Sequence, residues 1–267
     1  MTDPFQDPDA AGPDFIRAFA DSMEQRQTDP TMEAIVEAYL DRLSFSADTR
    51  CLEVGAGAGA VTRRIAARAD PAEVIGYEPS ELFVAEARTR AGTASNLRFE
   101  VADGADLPEE DGAADYVILH TVLTHTTTPD VLLAEAFRVL KPGGQLVVCD
   151  VDFSKASFAS FQNDPLDVCA KAFVEIFVTD PHLVGKVSGL MQEAGFTIDH
   201  FGVQSRVITQ ARHMLPWVSE TVKVMQARGQ IGEDLARALE AEHERRVRAG
   251  TLYGYQAVAT VVGRKPT

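Results

Sequence analysis

From residue 49 onward, short apolar runs alternate with amphipathic stretches. The runs Arg50–Val54, Glu73–Glu78, Leu97–Ala102, Asp115–His120 and Gln145–Asp150 read as strands, and the stretches 59–69, 81–91 and 130–140 as helices. Strands at this spacing cannot close as hairpins and need crossovers, which predicts βαβ units and a parallel sheet. Upstream, Phe15, Ile16 and Phe19 share a helical face. Met32, Ile35, Val36, Tyr39, Leu40 and Leu43 recur with a 3.6-residue period behind Asp29-Pro30, an N-cap followed by proline at the first helical position. Thr128-Pro129 and Asp180-Pro181 carry the same start signal, and Lys141-Pro142-Gly143-Gly144 ends a helix.

The second half is less regular. Residues 153–178 are rich in phenylalanine and read as an insertion or cap. Pro181–Glu193 then reads as a helix, Phe196–Val203 as a strand, 211–249 as two helices and Tyr255–Gly263 as a closing strand. Residues 1–13 mix aspartates and prolines without a burial pattern and read as a disordered lead.

Charge narrows the function. Against 25 Lys and Arg stand 40 Asp and Glu, a net charge of −15. Such a chain repels phosphate backbones, so no nucleic-acid partner is expected. No apolar run approaches the roughly 20 residues that span a bilayer, and the N-terminus lacks the basic start and apolar core of a signal peptide. Cys51, Cys149 and Cys169 form no CxxC pair. No disulfide scaffold and no metal site are expected, and the reducing cytoplasm is the expected compartment.

The strongest local signal is Leu52-Glu53-Val54-Gly55-Ala56-Gly57-Ala58-Gly59-Ala60, where a buried strand turns into a helix. Glycines there permit a tight turn and close approach of a ligand to the peptide plane, and the helix start adds free N–H groups. Gly55-x-Gly57-x-x-Ala60 also satisfies a dinucleotide fingerprint, and Glu78, 21 residues after Gly57, suits a ribose diol in either case. Close helix–strand packing alone would also use small residues. Three features favour a nucleoside without phosphates and with a positive centre. Glu53 beside the loop would repel a pyrophosphate, and the loop itself holds no Arg or Lys. Asp103-Gly104, leaving the third strand, places a carboxylate where open α/β sheets bind ligands and where it can accept an adenine amino hydrogen.

Together, LEVGAGAGA, VIGYEPS, FEVADGADLP, DYVILHTVLTHTTTP with RVLKPGGQLVVCD, and the final GYQAVATVVGRKP resemble the class I S-adenosylmethionine-dependent methyltransferases. The closest resemblance is to their type 11, UbiE-like small-molecule branch, over about residues 25–263. It implies an α/β, Rossmann-like, doubly wound seven-stranded sheet, mostly parallel with the last strand antiparallel, and helical lid insertions. The expected partition is lead 1–13, N-terminal helices 14–48 covering the cofactor site, core 49–203, a helical lid 204–252 that the resemblance implies, and final strand 253–267. S-adenosylmethionine would lie across Gly55, Ala56 and Gly57 with Glu53 as the motif's acid, the ribose on Glu78 beside Pro79 and the adenine by Asp103 and Gly104. His120 and Thr121 would offer backbone groups, and Arg26 would hold the methionine end.

Methyl transfer from a sulfonium needs alignment first, and a general base where the nucleophile bears a proton. His125 and Asp152 are the candidates for base or acceptor contact, with Asp150 on the same strand face as Asp152; capping and packing roles compete for each. Phe153, Phe158, Phe161, Phe173 and Phe177 would roof an acceptor pocket or fill the core. Met214, Leu215, Trp217, Val218 and Met225 would form a lid face, an interhelical seam or a dimer contact. The expected activity is methylation of a small organic molecule at O, N, C or S by a monomer or homodimer. The alternatives are an NAD(P)-dependent oxidoreductase, and a methyltransferase-fold sensor, partner subunit or cyclase that transfers no methyl group.

Overall fold

The computed structural model describes residues 3–213 and 217–267. Seven strands form one sheet: β1 Arg50–Val54, β2 Glu73–Glu78, β3 Leu97–Val101, β4 Ala114–His120, β5 Leu140–Ser157, β6 Thr197–Ile208 and β7 Gly254–Arg264. Their order is β3-β2-β1-β4-β5-β7-β6. The first five strands pair in parallel, and β7 runs antiparallel to both β5 and β6. The inner strands read as almost continuous apolar runs because helices cover both faces of the sheet.

Among the described residues, ten α-helices surround the sheet. The N-terminal ones are α1 Pro8–Ala11, α2 Pro13–Gln27 and α3 Pro30–Leu40; the crossovers are α4 Ala60–Ala69, α5 Glu81–Arg90 and α6 Pro129–Val139. The rest are α7 Asp167–Phe177, α8 Val187–Glu193, α9 Ser219–Ala227 and α10 Glu233–Ala249. One core layer joins α2, α3, α4, α7, α9 and α10 to one sheet face, and a second joins α6 and α8 to the other. The Asp29 carboxylate caps α3 by accepting from the Thr31 N–H at 2.8 Å, and the periodic residues Met32, Ile35, Val36, Tyr39, Leu40 and Leu43 are all buried.

Four expectations are corrected. Residues 1–13 are not a structureless lead over their described part: Pro4–Gln6 forms a 3-10 turn and α1 follows. Asp3 caps that turn and Asp7 caps α1, so two Asp-Pro steps supply the order that hydrophobic periodicity does not. β5 and β6 both outrun their expected ends, because each ladders along β7 past the point where the apolar pattern fades. Residues 204–208, assigned to a lid, are therefore sheet. The Pro181–Glu193 helix is split into a 3-10 turn Leu183–Gly185 and α8, since the Asp180 carboxylate takes the His182 N–H instead of capping a continuous helix. Thr128 precedes α6 but makes no side-chain cap.

Candidate active site

The β1–α4 turn needs its glycines. Gly59 has φ +77°, and a Cβ there would lie 2.4 Å from the Phe99 ring. Gly55 has φ +75°, and its Cβ would lie 2.6 Å from Val122. Only a residue without Cβ takes these conformations in such space. The turn lies at the C-terminal edge of the parallel strands, where crossovers to opposite faces open a crevice. A cleft of two lobes follows that crevice, and Phe5, Met23, Gly55, Gly57, Thr121 and His125 line both lobes as its waist. Thr121 stands at φ +59°, an uncommon conformation for a β-branched residue, with its N–H held on the Cys149 carbonyl at 2.7 Å.

The wider lobe, about 1110 Å³ with its mouth, contains Glu78, Pro79, Asp103 and Gly104. Glu78 ends β2; its carboxylate accepts from the Gly57 N–H at 2.9 Å and the Ser80 N–H at 3.1 Å. Burial raises its pKa to about 7. The Asp103 carboxylate accepts from Ala105 N–H at 2.9 Å. Among the described residues, no Lys or Arg lines this lobe.

The narrower lobe, about 690 Å³, combines Arg26, Gln27, Glu53, His120 and His125 with Phe5, Phe19, Phe153 and Phe173. Arg26 Nε and Glu53 Oε2 are both buried and unpartnered among the described residues. Burial lowers the Arg26 pKa and raises that of Glu53 to about 8. A cation and a carboxyl group that share one cavity without pairing form the complement of a zwitterion, so the site fits the amino-acid end of S-adenosylmethionine. Burial drives the His120 pKa down to about 3. Its ring is a neutral wall between Tyr39 Oη at 3.3 Å and Gln27 Nε2 at 3.4 Å, so the side chain as well as the backbone faces the site.

His125 sits on a 3-10 turn, Leu123–His125, fixed by Asp150, which accepts from the Thr124 N–H at 3.2 Å and its Oγ1 at 2.9 Å. His125 Nδ1 meets Asp3 Oδ2 at 2.8 Å. Asp152 is corrected: it lines neither lobe, and its carboxylate takes the N–H and hydroxyl of Ser154. The next residue, Phe153, does line the cleft, and strand alternation sends Asp152 to the opposite face.

The phenylalanines divide. Phe153 and Phe173 wall the cleft, Phe158 and Phe177 fill the core, and Phe161 is 58% exposed near the Arg246 guanidinium. Trp217, Val218 and Met225 are buried in the core, with Trp217 stacked behind Phe173 at 5.0 Å; Met214 and Leu215 lie outside the described residues. Among the described residues of 204–252, none lines either lobe. The N-terminal segment supplies Phe5, Gln6 and Pro8 instead. These residues and Asp3 are what a reading of the sequence misses. The signal was present, since Asp3-Pro4 and Asp7-Pro8 repeat the start pattern of Asp29-Pro30.

A methyltransferase-domain family model, type 11, matches residues 52–148. A demethylmenaquinone methyltransferase of Tropheryma whipplei is 32% identical over 139 residues, 52% of this chain and 57% of that one. The O-methyltransferase cnsE of Penicillium expansum is 30% identical over 183 residues, 64% of this chain and 63% of that one. The chain thus spans about half the length of the curated relatives it matches. The solved phosphoethanolamine N-methyltransferase 2 of Haemonchus contortus, in complex with phosphomonomethylethanolamine and S-adenosylhomocysteine, superposes with a TM-score of 0.59. It is 16% identical, and the match covers 96% of this chain and 58% of that one, a likeness of fold.

Proposed function

We propose, from the methyltransferase-domain match over residues 52–148, that the chain is a class I, type 11 methyltransferase and that it methylates a small, largely apolar acceptor whose nucleophile bears a proton, a hydroxyl above all. The observation that carries this reading is the buried Arg26 Nε and Glu53 Oε2, both without a partner among the described residues, in one aromatic-walled cavity. When bound, S-adenosylmethionine supplies a methyl group already activated on sulfur. The protein has to hold that group, align the acceptor and receive its proton.

Arg26 takes the carboxylate and Glu53 the ammonium of the amino-acid end; Glu78 takes the ribose hydroxyls and Asp103 the adenine edge. Phe19, Phe153 and Phe173 exclude water and favour an apolar acceptor over a charged one. His125 is the proton acceptor, on a turn that Asp150 keeps fixed. The buried carboxyl beside the loop, and the lack of Lys or Arg among the described residues of the wider lobe, argue against a dinucleotide pyrophosphate. We place the protein in a reducing cytoplasm, as its three buried free cysteines suit. Among the described residues no helix is long and apolar enough to cross a membrane.

A screen of hydroxylated aromatic and alicyclic compounds for S-adenosylhomocysteine release tests the reading. Turnover should fall about 10²–10⁴-fold in His125→Gln, with binding of S-adenosylhomocysteine retained. Full turnover in that variant would remove His125 from the mechanism.

A further inference from the structure

The strap formed by residues 3–11 is fastened beside the cleft at two points. At its far end, Asp9 receives the Ser80 hydroxyl, the Glu81 N–H at 2.9 Å and the Leu82 N–H at 3.3 Å, clamping the strap to the first turn of α5 beside Glu78. At its near end, Phe5 packs 4.8 Å from the His125 ring, and Gln6 donates to Thr179 Oγ1 at 2.6 Å. Ahead of Phe5, at the start of the strap, the Asp3 side chain is 2% exposed and fully engaged. Its Oδ1 accepts from the Phe5 N–H at 2.9 Å, and its Oδ2 lies 2.8 Å from His125 Nδ1 and 3.1 Å from Thr179 Oγ1.

An ionised carboxylate only accepts, so the nitrogen facing Asp3 must carry the proton. In the neutral ring the other nitrogen, Nε2, then has the lone pair. This ring lines both lobes, and its Nε2 has no partner among the described residues. The other ionisable groups around the ring are Asp150 beneath its turn, Arg26, Glu53 and His120 in the narrower lobe, and Glu78 and Asp103 in the wider lobe. Within hydrogen-bond distance of Nδ1, only Asp3 appears among the described residues.

We propose that Asp3 is a positioning residue for the proposed methyl-transfer site: it holds His125 in the Nδ1–H tautomer, with Nε2 free for the acceptor's proton, and does so only while the strap is docked. The geometry makes the N-terminal strap part of the catalytic apparatus and not merely a cover. This inference rests on the methyltransferase reading for its purpose, and on Asp3 and His125 alone for its content.

The test is nitrogen NMR of the full chain labelled with ¹⁵N-histidine, above the titration range of an ordinary imidazole, with His125→Gln assigning the resonance. Wild type should show His125 protonated at Nδ1, against the Nε2–H preference of a free side chain. Asp3→Asn, whose amide can donate to Nδ1, should move the ring to the Nε2–H form. Asp9→Asn, which loosens the strap and keeps Asp3, should shift the population in the same direction. Binding of S-adenosylhomocysteine to Asp3→Asn should change by less than about threefold. An Nε2–H ring in the wild type, or a tautomer unmoved by Asp3→Asn, overturns the proposal, and the wild-type spectrum decides even if a variant fails to fold. Failure of the methyltransferase reading would appear separately, as no binding of S-adenosylhomocysteine to the wild type.

Discussion

The two lobes of the cleft are made of different material. The wider lobe is built from strand ends and the turns that follow them: Val54, Glu78, Pro79, Asp103 and Gly104 all lie at or just beyond the C-terminal ends of β1, β2 and β3. Its two carboxylates, Glu78 and Asp103, are placed by strand ends of the sheet. The narrower lobe shares the β1 and β4 edge, but its aromatic walls come mainly from α2, α7 and the outrun of β5, segments that meet only in the folded chain, while the strap adds Phe5 to both lobes and Gln6 and Pro8 to the rim of the wider one. A sheet edge fixes a cofactor with few sequence requirements, whereas a wall assembled from distant segments is free to vary with the acceptor.

The largest effect that sharpens this contrast concerns the assembled wall. Phe173 lies between Phe177 at 4.8 Å and Trp217 at 5.0 Å and is fully buried. Phe173→Ala should cost about 3–5 kcal/mol of stability, seen as a lower urea midpoint. A loss below about 1 kcal/mol would mean that the wall is loosely packed.

Next comes the ladder-placed lobe. Glu78→Ala should weaken S-adenosylhomocysteine binding about 10–100-fold in calorimetric titration. Unchanged affinity would remove Glu78 from the ribose site.

A smaller effect runs through protons. Burial leaves Glu53 with a pKa of about 8 and Glu78 with one of about 7. Both folded values lie above the ordinary carboxyl value, so the unfolded chain binds fewer protons between the two. The ligand-free protein should therefore lose stability as pH rises from about 4.5 toward about 8. An ammonium group on Glu53 requires the ionised form, so binding expels a proton and affinity should climb by up to about tenfold per pH unit below pH 8. Glu53→Gln should flatten that slope. Titrations in buffers of different ionisation enthalpy would show the released proton; its absence in wild type would contradict the account.

The smallest expected effect is the most discriminating for the sequence-based view of the site. Asp152→Asn should leave affinity and turnover essentially as they are and alter stability by no more than about 0.5 kcal/mol. A large loss of turnover would return Asp152 to the catalytic apparatus.

What was legible in the sequence follows the same division. β1 and β2 match their expected bounds to the residue, because a strand buried on both faces leaves a continuous apolar run ending at a glycine or an acid. Gly55, Gly57, Glu78 and Asp103 were findable for that reason, and all four line the cleft. Arg26 was suggested by the family resemblance alone; the structure sets it in the cavity wall, where its Nε lacks a partner among the described residues. Asp3 and Phe5 were hidden because their contacts, His125 and Thr179, are more than a hundred residues away and leave no periodic trace. Asp152 was attractive because it shares a strand face with Asp150, but that face looks away from the cleft.

Titration of the wild-type protein with S-adenosylhomocysteine, 5′-methylthioadenosine and NADH tests most directly whether the buried Arg26 and Glu53 recognise a zwitterion. The account predicts tight binding of S-adenosylhomocysteine, binding of methylthioadenosine weaker by about 100-fold because it lacks the amino-acid end, and none of NADH. Equal affinity for the first two, or binding of NADH alone, would contradict it.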